Sequence, residues 1–437
     1  MRPKRVKFLF KSLVFKNFKT GLFAMNLLKF LDYAVTPWHT VEKTSQELLK
    51  AGFVELKEME SWNLQKGSAY FVKRGAALFA FRMPSQWTSK SRFLLASSHT
   101  DFPALKITPN PDKFSAGIHL LHPEIYGGAL LNTWLDRDLG IAGIAVVQDG
   151  NRLEQKLVRM KALCRIPELA IHLNRNVNEE GFRMNSQTQL DACFSSDESK
   201  TFILNLEETV GSKIVDFEMQ FFDAQAASLG GFSREWIYSG RLDNLLSCEA
   251  ILCGIAEAPV ETENVRGAFF FNSEEIGSET RDGAAGNFAE TMLCRIADFV
   301  QMNRGELLGN LSDSILFSLD VAHATHPAFA EKMESNHSPI LGRGIVLKVN
   351  AKKRYASEAV SNAYLKRICE KCRVPLQTFV SRNDLPCGST VGPRLSASLG
   401  IPTVDLGEAI LSMHSIREMA SVEDHERMRN AMRQFFL

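Results

Sequence analysis

Short apolar runs alternate with amphipathic helical stretches along most of this chain. Apolar runs of four to eight residues bounded by polar residues are typical of strands that are buried on both faces. We predict such strands at 93–97, 268–272, 315–319, 345–349 and 402–406. Amphipathic patterns predict helices over 26–52 (interrupted at Pro37), 244–258 and 286–300. The alternation of the two kinds of element predicts an α/β core.

The middle third of the chain, residues 104–239, has a different pattern. It is rich in turn residues, and stretches such as GIAGIAVVQDG at 140–150 and SKIVDFEMQFFDA at 212–224 indicate β-ribbons. We therefore predict a separate β-rich domain over 104–239, inserted into a discontinuous core domain made of residues 25–103 and 240–437.

The basic residues are unevenly distributed. The formal net charge is +1, but residues 1–24 hold seven Lys or Arg and no acidic residue, so the remainder has 44 basic and 50 acidic residues. An acidic body of this kind argues against nucleic acid as a partner. Eight scattered cysteines lack the spacing of a disulfide framework, which favours a reducing cytoplasmic location.

The stretch 1–24 allows two interpretations. Its basic residues interleaved with Phe and Leu would suit a targeting or membrane-surface segment. However, Lys11, Lys16 and Lys19 interrupt the apolar run, so it has neither a signal-peptide core nor a spanning length. We interpret it as a basic N-terminal extension, and we predict no interaction with a membrane.

Residues able to bind metal or transfer protons follow the predicted strands. His99 and Asp101, Glu274 and Glu275, and Asp320 and His323 come directly after strands, Asp243 precedes a helix, and His414 lies in a loop. The ligand crevice of an open α/β sheet lies beyond the carboxyl ends of its strands, so these side chains should meet at one edge. Imidazole and carboxylate groups together suit zinc or similar divalent ions.

Each of these residues alone also has an ordinary interpretation. A lone His after a strand is usually a hydrogen-bonded turn residue. Adjacent Glu274 and Glu275 could form a solvated acidic turn, and Asp243 could be a carboxylate favoured by a helix N-terminus. Asp320 is harder to explain in this way, because an acid that ends a strongly apolar strand needs a partner.

Ordered motifs from about Met25 to the C-terminal region carry a resemblance to a known family. They are SSHTDFPALKITPN, TWLDRDLGIAG, IPELAIHLNR, SGRLDNLLS, NSEEIGSET, SLDVAHATHPAF, KVNAKKRYAS, CGSTVGPRLS and MHSIREMA. The sequence resembles the aspartyl aminopeptidase family of dizinc exopeptidases. The resemblance implies a mixed-sheet α/β core with an inserted dimerisation domain, and a homo-oligomer, a dodecamer built from dimers.

The resemblance also implies roles for individual residues. Two divalent metal ions, expected to be Zn²⁺, would be bound by His99, Asp243, Glu275, Asp320 and His414. Asp243 would bridge the ions, Asp320 would share one with His99, and Glu275 would share the other with His414. Glu274 would be the general base, and Asp101 would orient the His99 imidazole.

Four further residues are implied in substrate binding. Lys348, with Tyr355 nearby, would supply the positive charge that selects an acidic first residue, although a surface lysine at a strand end is the plainer interpretation. His172 would reach a neighbouring subunit's site from the inserted domain, and His323 would line the pocket.

The expected function is therefore removal of N-terminal residues, preferably Asp or Glu, from peptides with a free N-terminus. Two alternatives stay open at this point. One is a related dizinc amidohydrolase, such as a deacylase or carboxypeptidase. The other is a non-catalytic assembly or cargo protein that has kept the fold.

Overall fold

The computed structural model describes residues 26–88 and 90–437, so the predicted extension over 1–24 lies outside the described residues. Residues 26–33 are helical, and helix α1 begins at Pro37 (Pro37–Lys50). Thr36 caps this helix, because its side chain accepts a hydrogen bond from the His39 amide. Pro37 at the first helical position explains why the predicted helix is interrupted there.

The strands of the N-terminal part are β1 (Val54–Leu56), β2 (Ala69–Arg74), β3 (Ala77–Arg82) and β4 (Phe93–His99). Those of the middle part are β5 (Ala104–Ser115), β6 (Ile118–Tyr126), β7 (Leu139–Asp149), β8 (Arg152–Cys164), β9 (Ala192–Ser195), β10 (Ile214–Asp223), β11 (Ser228–Gly230) and β12 (Trp236–Ser239). Those of the C-terminal part are β13 (Val265–Phe271), β14 (Ile315–Leu319), β15 (Ala322–His323), β16 (Ile345–Val349), β17 (Leu376–Val380), β18 (Thr403–Gly407), β19 (Ala409–Ile410) and β20 (Glu418–Ser421).

The remaining helices are α2 (Val177–Glu180), α3 (Phe202–Val210), α4 (Leu242–Ala256), α5 (Phe288–Phe299), α6 (Arg304–Leu311), α7 (Ala359–Cys372), α8 (Val391–Leu399) and α9 (Val422–Phe435). The predicted strands and helices are confirmed, with boundaries shifted by a few residues at most outside the 26–52 stretch.

Among the described residues, a nine-stranded mixed sheet has the order β1-β2-β3-β13-β4-β14-β18-β16-β17. Its central pairs β13–β4, β4–β14 and β14–β18 are parallel, whereas β3 and β16 pair antiparallel with their neighbours β13 and β18. Parallel central strands need cover on both faces, which explains their continuous apolar sequences. The predicted mixed-sheet α/β core is confirmed.

The two faces of this sheet pack into different hydrophobic cores. Along β13, Ala268 and Phe270 join the core that contains residues of α1, α4, α7 and α9. Their neighbours Phe269 and Phe271 join the core that contains residues of α5, α6 and α8. Successive side chains of a strand point to opposite faces, so the sheet lies between two helical layers.

The middle part of the chain forms a second sheet with the order β8-β7-β10-β5-β6-β9, and all its pairs are antiparallel. It has its own hydrophobic core. The following ribbon, β11 and β12, pairs instead with β20 near the C-terminus. The predicted domain boundaries and the dimerisation role of the insertion stay predictions.

Candidate active site

Three neighbouring parallel strands end at one edge of the large sheet and deliver polar side chains there. His99 is the last residue of β4, Glu274 and Glu275 follow β13, and Asp320 follows β14. After β13, Ser273 has a φ of 64°, in the left-handed region, and this turns the chain so that the two glutamates face the edge. The edge opens into a cavity of about 1110 Å³, which these residues line together with Asp243 and His414.

Asp243 lies between the two imidazoles. Its Oδ1 is 3.5 Å from His99 Nε2, and its Oδ2 is 3.3 Å from His414 Nε2. Asp320 Oδ1 lies 3.8 Å from His99 Nε2, and Glu275 Oε2 lies 3.4 Å from His414 Nε2. Asp243 therefore faces both imidazoles, while Asp320 faces only His99 and Glu275 faces only His414.

Both imidazoles present the same ring nitrogen to the cavity. His99 Nδ1 donates to the carbonyl oxygen of Asp101 at 3.0 Å, and His414 Nδ1 donates to that of Gly128 at 3.1 Å. A carbonyl oxygen can only accept, so Nδ1 carries a proton in each ring. In the neutral form of each ring, Nε2 then has the lone pair that can bind a metal ion.

The charges of the site suit the binding of cations. Asp243 Oδ1 and Glu275 Oε1 are buried, and neither has a hydrogen-bond partner among the described residues. Burial, reinforced by the Asp243 carboxylate, raises the pKa of Glu275 well above its usual range. Burial and nearby carboxylates, foremost Asp320, also raise the pKa of Glu274 to about 8. Divalent ions would neutralise this surplus of carboxylates, and one donor atom each of His99, Asp243 and Glu275 lies within 4.8 Å of the others.

Asp101 lies beneath the site and holds the turn that carries both glutamates. Its carboxylate accepts from the amides of Glu274 and Glu275, both at 3.1 Å, and from the Tyr126 hydroxyl at 2.7 Å. The carboxylate is 3.5 Å from His99 Nδ1, farther than the backbone carbonyl of the same residue. Asp101 thus orients His99 mainly through its backbone and the glutamates through its side chain.

Sequence reasoning missed Glu418 and the Gly127–Gly128 turn. The Glu418 carboxylate accepts from the amide of Asp243 at 3.1 Å and from that of His414 at 2.8 Å. A Cβ atom on Gly127 would lie 3.1 Å from the Glu275 side chain, and one on Gly128 would lie 3.2 Å from His414 Nδ1. The signal for the glycines was their adjacency in IYGG, and Glu418 lies in the motif MHSIREMA, in which only His414 was given a role.

The residues expected to bind substrate divide into two groups. Lys348, Tyr355 and His323 line the cavity. Lys348 is 3% exposed, which rules out a surface lysine, and its Nζ donates to the carbonyl oxygens of Asp320 at 3.1 Å and Val321 at 2.9 Å. Nζ also lies 4.9 Å from the centre of the Tyr355 ring. His172 is exposed in a turn and does not line this cavity, so its role at a neighbouring subunit stays a prediction.

A sheet edge that gathers imidazole and carboxylate donors around a cavity is the arrangement of a metal-dependent hydrolase. Comparison with known proteins identifies the family within this class. The family described as aminopeptidase I zinc metalloprotease (M18) matches residues 30–436. Aspartyl aminopeptidase 4 of Saccharomyces cerevisiae is 36% identical over 457 residues, covering 94% of this chain and 93% of the relative. A probable M18 family aminopeptidase 2 of Pseudomonas aeruginosa is 37% identical over 413 residues, covering 91% and 94%.

Solved structures agree with this result. A structure of the Ape4 and Nbr1 complex, determined by cryo-EM, matches with a TM-score of 0.90 at 34% identity, covering 96% of this chain and 86% of that one. A structure of the S. cerevisiae mApe1 dodecamer matches with a TM-score of 0.82 at 26% identity, covering 95% and 96%. The chain belongs to the M18 family of zinc metallo-aminopeptidases. None of the helices within residues 26–88 and 90–437 combines the length and the apolar character that a membrane span requires.

Proposed function

We propose that this aminopeptidase binds two divalent ions and removes N-terminal Asp or Glu from peptides. The observation that carries the proposal is the position of Asp243, whose two carboxylate oxygens face His99 Nε2 and His414 Nε2 separately. A carboxylate that faces two imidazoles in this way can bridge two ions. His99 and Asp320 would complete one metal site, and Glu275 and His414 the other. When bound, the ions would acidify a water molecule and polarise the scissile carbonyl.

Glu274 is the proposed general base. Its Oε2 lies 4.0 Å from His99 Nε2, next to the proposed ligands, and its backbone is held by Asp101. The side chain lines the cavity, and with divalent ions offsetting the carboxylates that raise its pKa, it could accept a proton from water and pass it to the departing amine. Glu275, its neighbour in sequence, faces His414 instead, so the two adjacent glutamates have separate roles.

The proposed preference for an acidic first residue is supported by cationic groups along one wall of the cavity. Lys348 is buried in this wall, and Lys352, Lys353 and Arg354 are exposed at its rim. The Lys348 ammonium is held by two backbone carbonyls and lies 3.4 Å from Asp320 Oδ2. It would attract a substrate carboxylate through its charge, in a site where partial burial strengthens that attraction.

We also propose a homo-oligomer, a dodecamer built from dimers, located in the cytoplasm. The dodecamer is supported by the similarity of this chain to S. cerevisiae mApe1, whose solved structure is a dodecamer. Exposed apolar residues on the middle part of the chain, including Leu153, Leu163 and Leu173, would suit burial between subunits. The cytoplasmic location is supported by the cysteines, all eight of which lie in the described residues and are free.

A substrate panel tests the proposal. Peptides that begin with Asp, Glu, Leu or N-acetyl-Asp are incubated with the zinc-loaded enzyme, with and without chelator. We expect the fastest cleavage of Asp and Glu peptides, slower cleavage of the Leu peptide, and loss of activity with chelator. Equal cleavage of the acetylated peptide would favour a deacylase instead. No cleavage of any free-amine peptide would overturn the enzymatic proposal and favour an assembly or cargo role.

A further inference from the structure

Glu418 connects two segments of the site that are far apart in the sequence. Its side chain is 3% exposed, and its Oε2 and Oε1 accept hydrogen bonds from the amides of Asp243 and His414. The two amides belong to the proposed bridging ligand and to the proposed histidine ligand of the second metal site. One buried carboxylate therefore fixes the backbones of both residues.

The sheet around Glu418 fixes its position. Glu418 is the first residue of β20 and pairs with Ser239, the last residue of β12. The chains that leave this pair remain in close contact, since a Cβ atom on Gly240 would lie 2.4 Å from the carbonyl oxygen of Ile416. The pairing thus places the segment that leads from β12 to Asp243 next to the loop that carries His414.

The loop that carries His414 needs such a support. His414 has a φ of 67°, in the left-handed region that is uncommon for a residue with a side chain. The middle part of the chain also holds this loop: His414 Nδ1 donates to the Gly128 carbonyl oxygen, the Leu130 amide donates to the His414 carbonyl oxygen at 3.0 Å, and the Ile416 amide donates to the Thr133 hydroxyl at 3.0 Å. The hydrogen bond from the His414 amide to Glu418 holds the backbone in a conformation that directs Nε2 towards Asp243 and Glu275.

We propose that Glu418 is a positioning residue for the second divalent ion. It fixes the position of Asp243 relative to His414, so that one carboxylate oxygen of Asp243 and Nε2 of His414 face the same point in the cavity. The inference rests on the proposed two-ion function. Its expected result is selective: the second ion depends on Glu418 through both Asp243 and His414, whereas the ion bound by His99 and Asp320 depends on it through the shared Asp243 alone and should be weakened less.

The test is zinc binding to Glu418→Gln, measured by calorimetry and by metal analysis after dialysis. Glutamine has the same shape but only one accepting oxygen, and its amide nitrogen would face one of the two N–H groups. We expect the affinity for the second zinc ion to fall roughly 10- to 100-fold, the range seen when partners of metal ligands are changed. The affinity for the first zinc ion should fall by a smaller factor, because that ion shares Asp243 with the second ion while His99 and Asp320 keep their own hydrogen-bond partners.

Asp424 offers a matched control. It is a buried carboxylate six residues further on that also accepts two backbone N–H bonds, from Gly342 at 2.6 Å and Gly344 at 2.7 Å. Asp424 does not line the catalytic cavity. Asp424→Asn should therefore lower thermal stability while both zinc ions bind as in the wild type.

Three results would overturn the inference. They are wild-type binding of both ions by folded Glu418→Gln, equal weakening of both ions, and the same loss in Asp424→Asn. If Glu418→Gln does not fold, Glu418→Asp is used, because its shorter side chain cannot reach both amides from the same position. Tight binding of both ions by Glu418→Asp would then overturn it. Failure of the wild-type protein to bind a second ion would instead refute the proposed function.

Discussion

The site has two halves that are built in different ways. The half around His99 and Asp320 lies at the ends of adjacent parallel strands, where strand pairing sets its geometry. The half around His414 lies on a loop, where a buried carboxylate and several hydrogen bonds to the middle part of the chain hold it. Asp243 belongs to both halves. The sheet half should form as soon as the core folds, whereas the loop half depends on contacts between distant segments.

The largest effect is expected from Glu274→Gln, which tests the division of roles between adjacent glutamates. The variant keeps the shape of the side chain and the hydrogen bond from its backbone amide to Asp101, but its side chain cannot accept a proton. Turnover of Asp peptides should fall by roughly 100- to 10,000-fold, the usual contribution of a general base. Zinc content, measured by metal analysis, should stay at the wild-type level.

Glu275→Gln is the matched comparison. Its side chain faces His414, so this variant should lose zinc from the loop half and lose activity as a consequence. If Glu274→Gln loses zinc and Glu275→Gln retains it, the two roles are exchanged. Wild-type turnover in Glu274→Gln would remove the residue from the mechanism.

The contrast between the halves also explains what the sequence could predict. ILFSL and IVLKV form strands with the predicted boundaries, because strands buried on both faces are continuous apolar runs. In PTVDL the strand begins at Thr403, since Pro402 has no N–H group to pair. His99 and Asp320 could be located because each directly follows such a run.

The supports of the loop half could not be predicted in this way. Glu418 acts through backbone amides, one of which lies 175 residues away, and its own segment has no distinctive periodicity. The carbonyl of Gly128 is a backbone group, and any residue type would provide one. Lys348 was recognised only because its motif resembled that of a known family, and His414, noted as a candidate ligand in a loop, was assigned to a metal site only through that resemblance.

An intermediate effect is expected from Lys348→Met, which removes a charge next to the sheet half. The ratio of kcat/KM for Asp peptides over Leu peptides should fall about tenfold or more, because a charge a few ångströms from a substrate carboxylate contributes over 1 kcal/mol in a partly buried site. Lys352→Met is the control, since Lys352 is exposed at the rim of the same cavity and solvent screens its charge. An equal loss for both peptides would mean that Lys348 only supports the Asp320 backbone.

The smallest effect is expected from Tyr126→Phe, which asks whether the middle part of the chain also supports the sheet half. The change removes only the hydroxyl that donates to Asp101 at 2.7 Å, and Asp101 keeps its bonds to the amides of Glu274 and Glu275. Loss of one hydrogen bond of about 1 kcal/mol should lower kcat roughly three- to tenfold and leave zinc content unchanged. Tyr70→Phe, which loses a hydroxyl that accepts from the Gln65 amide away from the cavity, should leave kcat unaltered. A fall in zinc content in Tyr126→Phe would contradict this assignment, since it would mean that Asp101 supports the ligands rather than the base.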